Sequence, residues 1–171
     1  MSLYRITSMK GLAYLTILGF LCQISSIHAL DGDKKSPLTV NADRADIDKK
    51  NEVSTYQGNV KINQGSLQIS ADQLTISHPE GKITSIIATG LPAHYQYQAS
   101  LQTKPVIAHA QTITYIIARD KVTLNGDAFL QQGENQFNGQ NIIYDIKQDH
   151  VQAHGTPAGK QITITITPDS K

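Results

Sequence analysis

The feature that most constrains this chain is an internal repeat of small residues. Ala42, Ala71, Ala110 and Gly139 are each answered by a glycine, at Gly58, Gly90, Gly126 and Gly155, with separations of 16, 19, 16 and 16 residues. The segment Leu124-Asn125-Gly126-Asp127-Ala128-Phe129-Leu130-Gln131-Gln132-Gly133, followed by Phe137 to Tyr144, is echoed by Gly58 to Gly65 followed by Ala71 to Ile76. Each unit reads as a strand opened by the small residue, a turn, and a second strand ending at the glycine. Four such units stack along one axis. A unit with one apolar face cannot bury it alone, so its stability comes from its neighbours.

Between these marks the chain alternates with period two. Val60 and Ile62, Leu67 and Ile69, Leu74 and Ile76, Tyr95 and Tyr97, Ile113 and Tyr115, Val122 and Leu124, Ala128 and Leu130, and Ile142, Tyr144 and Ile146 fall on one side, with polar residues on the other. Turn signals recur at Lys49-Lys50-Asn51, Gln64-Gly65, His78-Pro79-Glu80-Gly81, Arg119-Asp120, Gln132-Gly133 and Lys147-Gln148-Asp149. No helical period competes, and the expectation is an all-β chain of short antiparallel strands. One-sided strands must close over their apolar side, as a sandwich or a rolled sheet.

The two ends of such a sheet are its exposed edges. The first strand, Leu38 to Asp43, begins after Pro37, and the last, Gln161 to Thr167, carries Ile162, Ile164 and Ile166 with no charge or proline. An unprotected edge is a template for another chain. Leu38, Val40, Ile162, Ile164 and Ile166 are therefore candidate docking positions.

Residues 1–29 read as a cleaved secretory signal: Arg5 and Lys10 precede an apolar run from Gly11 to Leu21, and Ile27-His28-Ala29 precedes a polar stretch. The run is shorter than the ~20 residues of a membrane span. Residues 30–36 form a flexible lead-in, 37–167 one β domain, and 168–171 a short tail. Cys22 leaves with the signal, so the exported part has no thiol, disulfide or cysteine metal site. It retains 13 basic against 14 acidic residues, and without a basic field nucleic acid is not a partner.

Catalytic and cofactor motifs are absent: no nucleophile elbow, phosphate-binding loop, dinucleotide fingerprint, metalloprotease helix or calcium loop appears. His150 and His154 read as exposed positions, and Asp43, Asp46 and Asp48 as solvated turn carboxylates without the glycine and distal glutamate of a calcium site. No metal, cofactor or enzymatic activity is expected. With no Trp and three Phe, the interior is aliphatic, and Ala45, Ala93, Ala128 and Ala153 leave room in it. Composition does not decide whether that interior is filled by the protein or by a ligand.

Gly58-Asn59-Val60 with Ala71-Asp72, Gly90-Leu91-Pro92-Ala93, Ala108-His109-Ala110 with Tyr115, and Leu124-x-Gly126-Asp127-Ala128-x-Leu130-x-Gln132 resemble the repeats of the OstA-like family of periplasmic lipopolysaccharide transport proteins. The likeness runs from Pro37 to Thr167. It implies an open, slightly twisted β-jellyroll in the periplasm whose interior receives the acyl chains of lipopolysaccharide. The lining it implies is Val60, Ile62, Leu67, Ile69, Leu74, Ile76, Tyr95, Ile113, Tyr115, Leu124, Leu130, Phe137, Ile142 and Tyr144. The two unpaired edges predict head-to-tail self-association, and the resemblance implies an inner-membrane LptC-type anchor of an ATP-driven transporter at the N-terminal edge and an outer-membrane LptD-type translocon at the C-terminal edge. The rival reading is a structural β-solenoid of the envelope with no ligand.

Overall fold

A computed structural model describes residues 36–98, 100–156, 159 and 161–168. The expected signal, most of the lead-in and the end of the tail lie outside the described residues. Ten strands form one antiparallel sheet: β1 (Thr39–Asn41), β2 (Arg44–Asp48), β3 (Val53–Gln64), β4 (Leu67–Ser77), β5 (Ser85–Tyr97), β6 (Val106–Ile116), β7 (Lys121–Gln132), β8 (Asn135–Asp145), β9 (His150–His154) and β10 (Thr163–Thr165). Strands β3 to β8 pair in sequence order. At one end of the sheet β1 and β2 share β3 as a neighbour, and at the other β9 and β10 share β8.

The central strands are 11 to 13 residues long, not short. Each of the ladders β3–β4, β4–β5, β5–β6, β6–β7 and β7–β8 slips at one place. The slips fall at Gly58-Asn59, Ala71-Asp72, Gly90-Leu91-Pro92, Ala110-Gln111 and Gly126-Asp127. These are the small residues of the repeat. They do not open or close strands; they sit in the middle of strands that bend there.

The bend folds the sheet into two leaves. Tyr95 pairs with Ala108, seven residues along β6 from Tyr115, a separation of roughly 23 Å in a flat sheet. Their rings nevertheless meet edge to face, with centroids 6.5 Å apart. One leaf holds β2, the halves of β3 to β8 that pair with each other around Leu74, Ile113 and Leu124, and β9. The other holds β1, the halves around Ile69, Tyr95 and Leu130, and β10.

Each repeat is thus a hairpin of the first leaf. From the corner the chain runs out to a rim turn and returns to the corner beside its starting point, which is why 16 to 19 residues separate each small residue from its glycine. Asp43 N–H donates to Gly58 O across the first of these closures (3.0 Å). Gly58 and Asn59 have φ of +76° and +47°, and Gly126 and Asp127 have +82° and +45°. Glycine followed by Asn or Asp is the pair that tolerates two consecutive left-handed residues. A Cβ on Gly58 would run into the Asp43 side chain, and one on Gly126 into Gln111.

β2 is a strand, although its carboxylates read as a turn. Asp46 pairs with Thr55 and Asp48 with Val53, with all five residues of β2 exposed. Asp48 additionally accepts the backbone N–H groups of Lys50 and Asn51, which close the turn that follows, and the bonds from Asn51 hold its carboxyl below the usual range. The last strand is shorter than expected, with only Thr163–Thr165 paired to β8.

Candidate functional site

Packing one leaf on the other creates a single apolar interior. Thirteen of the fourteen expected lining residues, all but Phe137, lie in it at 7% exposure or less: Val60, Ile62, Leu67, Ile69, Leu74, Ile76, Tyr95, Ile113, Tyr115, Leu124, Leu130, Ile142 and Tyr144. Phe137 is half-buried against the same cluster. It lies on β8 opposite Ile164 of β10, where the three-residue edge strand covers less of it. The leaves meet along this surface, so the interior is filled by the protein's own side chains.

Ile86, Ala88, Val106, Ala108 and Ala110 are buried in the same cluster without having been expected there, and Val122, expected on the apolar side with Leu124, joins them. Ile86 is followed by Ile87 and Val106 by Ile107, and alternation alone does not say which of two adjacent apolar residues turns inward. Ile87 and Ile107 face out, at 38% and 41% exposure. Of the alanines expected to leave room, Ala93 and Ala128 are inward, Ala153 is half-buried, and Ala45 is exposed on β2.

Opposite the corner, the leaves end in two rims that face each other across a seam. One rim is made of the turns at 49–52, 78–82, 117–120 and 146–149, and the other of the turns at 65–66, 100–105 and 133–134. Polar groups collect along it. Gln132 Nε2 donates to Asp149 Oδ1 at 2.6 Å, joining one rim to the other, and Tyr144 Oη donates to the same oxygen at 3.1 Å. The Tyr115 hydroxyl bonds the Asp120 carboxylate. Ser54 Oγ and His78 Nε2 share a hydrogen bond of 2.9 Å at the other end of the rim.

Burial is the main reason the Tyr115 and Tyr144 phenols are pushed well above the usual tyrosine range. The charges of Asp120 and Asp149 act in the same direction. Tyr95 is raised too, by burial and then by Tyr115. All three phenols stay neutral at physiological pH, and those of Tyr115 and Tyr144 serve as hydrogen-bond donors at the boundary between the apolar interior and the polar seam.

Ile162, Ile164 and Ile166 are exposed around β10, and Leu38 and Val40 are half-buried beside the core, with Val40 paired to Ile62. Each edge comes in two pieces, β1 with β2 and β9 with β10. His150 and His154 are exposed on β9, and among the described residues no group of three or more His, Cys, Asp or Glu is placed to hold a metal ion. No helix among the described residues is long and apolar enough to cross a membrane.

The family described as LptA/(LptD N-terminal domain) LPS transport protein matches residues 39–150. The lipopolysaccharide export system protein LptA of Escherichia coli (strain K12) is 34% identical over 142 residues, which is 82% of this chain and 76% of that protein. LptH of Pseudomonas aeruginosa, also named a lipopolysaccharide export system protein, is 32% identical over 136 residues, 79% of this chain and 77% of that protein. The crystal structure of LptH, described as the LptA-homologous periplasmic component of the conserved lipopolysaccharide transport device of that organism, superposes with a TM-score of 0.73 at 27% identity. It covers 80% of this chain and 99% of that chain. By sequence and by fold, this chain belongs to the LptA/LptD N-terminal domain family of lipopolysaccharide transport proteins.

Proposed function

We infer that this chain carries lipopolysaccharide through the periplasm, holding the acyl chains between its two leaves while the sugar and phosphate groups stay outside the seam. The observation that carries this reading is the single apolar interior that runs between the two leaves from β3 to β8 beside a polar seam, in a chain of a lipopolysaccharide transport family. A signal over residues 1–29 would deliver the 37–167 domain to that compartment. The family is one of transport proteins, not of enzymes.

Because the leaves pack on each other, loading requires that they part. Burying about ten methylenes of an acyl chain is worth on the order of 8 kcal/mol. A single hydrogen bond such as Gln132 to Asp149 contributes about 1 kcal/mol. Cargo therefore outweighs the seam bond, and its chains replace the leaf-to-leaf contacts with apolar contacts of the same kind.

The exposed edges suit the partners of such a carrier. An inner-membrane LptC-type anchor would add a strand at β1 and β2, and an outer-membrane LptD-type translocon at β9 and β10. Copies of this chain would join head to tail between them, which makes the interiors continuous. The exposed Ile162, Ile164 and Ile166 support this reading.

The filled interior also favours a second reading, an envelope scaffold without ligand. One experiment separates the two. In the double variant Gln132→Cys/Asp149→Cys, reduced protein is expected to bind purified lipopolysaccharide and the oxidised, seam-locked protein to lose that binding. Equal binding in both forms removes the seam as the loading path. No binding by wild type or by the reduced variant supports the scaffold.

A further inference from the structure

Three tyrosines point into the interior near the seam, and two of them have protein acceptors. Tyr144 donates to Asp149, and Tyr115 bonds Asp120. Tyr95 differs. It is 2% exposed, its ring lies edge to face on Tyr115, and its hydroxyl oxygen is the buried side-chain atom that has no hydrogen-bond partner among the described residues.

A buried hydroxyl without a partner is destabilising, and such groups are rare in folded proteins. Phenylalanine at this position would fill the same space without that penalty. On its own leaf Ile69, Ala93, Ala108 and Leu130 lie around it; the phenols of Tyr115, Tyr97 and Tyr144 and the Asp120 carboxylate act on it electrostatically, but none of them bonds it. Its ring meets that of Tyr115, whose own hydroxyl bonds Asp120 on the rim, which puts the Tyr95 hydroxyl near the polar edge of the interior. An amphiphile held between the leaves places at that depth the linkage between its headgroup and its chains.

We propose that Tyr95 Oη is the polar anchor for cargo inside the fold, donating a hydrogen bond to the ester or amide carbonyl that joins an acyl chain to its headgroup. This rests on the carrier reading above and names the group of the lipid that is recognised. Acylated lipids are thereby distinguished from alkyl chains that lack a carbonyl at this position. In the free protein the hydroxyl is held ready, with its partner arriving with the lipid.

The test is Tyr95→Phe, read in two ways. Without lipid, the melting temperature of the variant is expected to equal or exceed that of wild type, because an unpaired hydroxyl has been removed. Affinity for purified lipopolysaccharide is expected to fall three- to tenfold. A second pair of probes, an ester-linked lysophosphatidylcholine and its ether-linked analogue, is expected to show a preference for the ester in wild type that vanishes in the variant. A lower melting temperature without lipid, or unchanged lipid affinity with no ester preference, overturns the proposal. If wild type prefers the ester but does not bind lipopolysaccharide, the anchor stands and the carrier reading falls. If wild type binds none of the probes, both fall.

Discussion

Gln132 and Asp149 are joined by a 2.6 Å hydrogen bond although they belong to opposite ends of the same strand ladder. Gln132 ends β7, whereas Asp149 follows Asp145, the partner of Lys121 at the start of β7. Eleven residues of extended chain separate Gln132 from Lys121, roughly 36 Å if straight. The bond exists because β7 bends at Gly126 and Asp127, and it closes the seam that the bend creates.

Removing that closure has a graded cost. Gln132→Ala is expected to lower stability by about 1 kcal/mol, the net worth of one hydrogen bond. Asp149→Ala costs more, because it also strips the acceptor from the buried Tyr144 hydroxyl. Urea unfolding of the two single variants and the double variant gives the coupling, expected at about 0.5–1.5 kcal/mol. A coupling of zero would show that the two rims are not held by this pair.

The corner glycines are the most sensitive positions in the sheet. At Gly58 and Gly126 a side chain meets both a left-handed φ and a neighbouring side chain, so Gly58→Ala and Gly126→Ala are each expected to cost about 2–3 kcal/mol. Gly81 has a similar φ, +74°, but open space around it. Gly81→Ala is therefore expected to cost only about 1 kcal/mol. Thermal melts of the three variants rank them, and equal losses would mean that crowding at the corner is unimportant.

The inward face was legible in the sequence, and the corner was not. In β4 the inward residues are Leu67 and Ile69 before Ala71-Asp72, and Leu74 and Ile76 after it. The inward side moves from odd to even numbers across the slip, so one continuous strand reads as two short ones. The reverse change, from even to odd, occurs in β5 between Ile86, Ala88 and Ala93, Tyr95, and in β6 between Val106, Ala108 and Ile113, Tyr115. Small residues at these points look like strand ends because a bulge interrupts alternation in the same way. β2 gave no signal, since an edge strand exposed on both sides needs no apolar alternation. The seam bonds were equally hidden, because they join residues that only the fold brings together.

Alkali is expected to unfold the protein early. The folded state keeps Tyr95, Tyr115 and Tyr144 protonated above the ordinary tyrosine value of about 10, whereas the unfolded chain releases those protons. A raised folded-state pKa gives stability that is complete below the unfolded value and is lost progressively as pH rises from there through the raised folded value. Each tyrosine contributes a slope of up to about 1.4 kcal/mol per pH unit. Urea midpoints between pH 9 and pH 11 are expected to drop across pH 10, with a shallower drop in Tyr95→Phe. A flat profile would contradict the burial of these phenols.

At the N-terminal edge, Val40→Pro removes a backbone donor from β1. Because β1 has only three residues, circular dichroism is expected to stay unchanged while docking to an LptC-type anchor is lost. Normal docking by this variant would mean that the edge does not receive its partner by strand addition.

The claim that acyl chains lie between the leaves is tested most directly by photocrosslinking during active transport. Ile76 and Tyr115 face the interior, and their neighbours Thr75 and Thr114 face outward from the same two strands. A photoreactive residue at Ile76 or Tyr115 is expected to capture lipopolysaccharide, and one at Thr75 or Thr114 to capture none. Equal capture at all four positions, or capture only at the two threonines, would contradict the account.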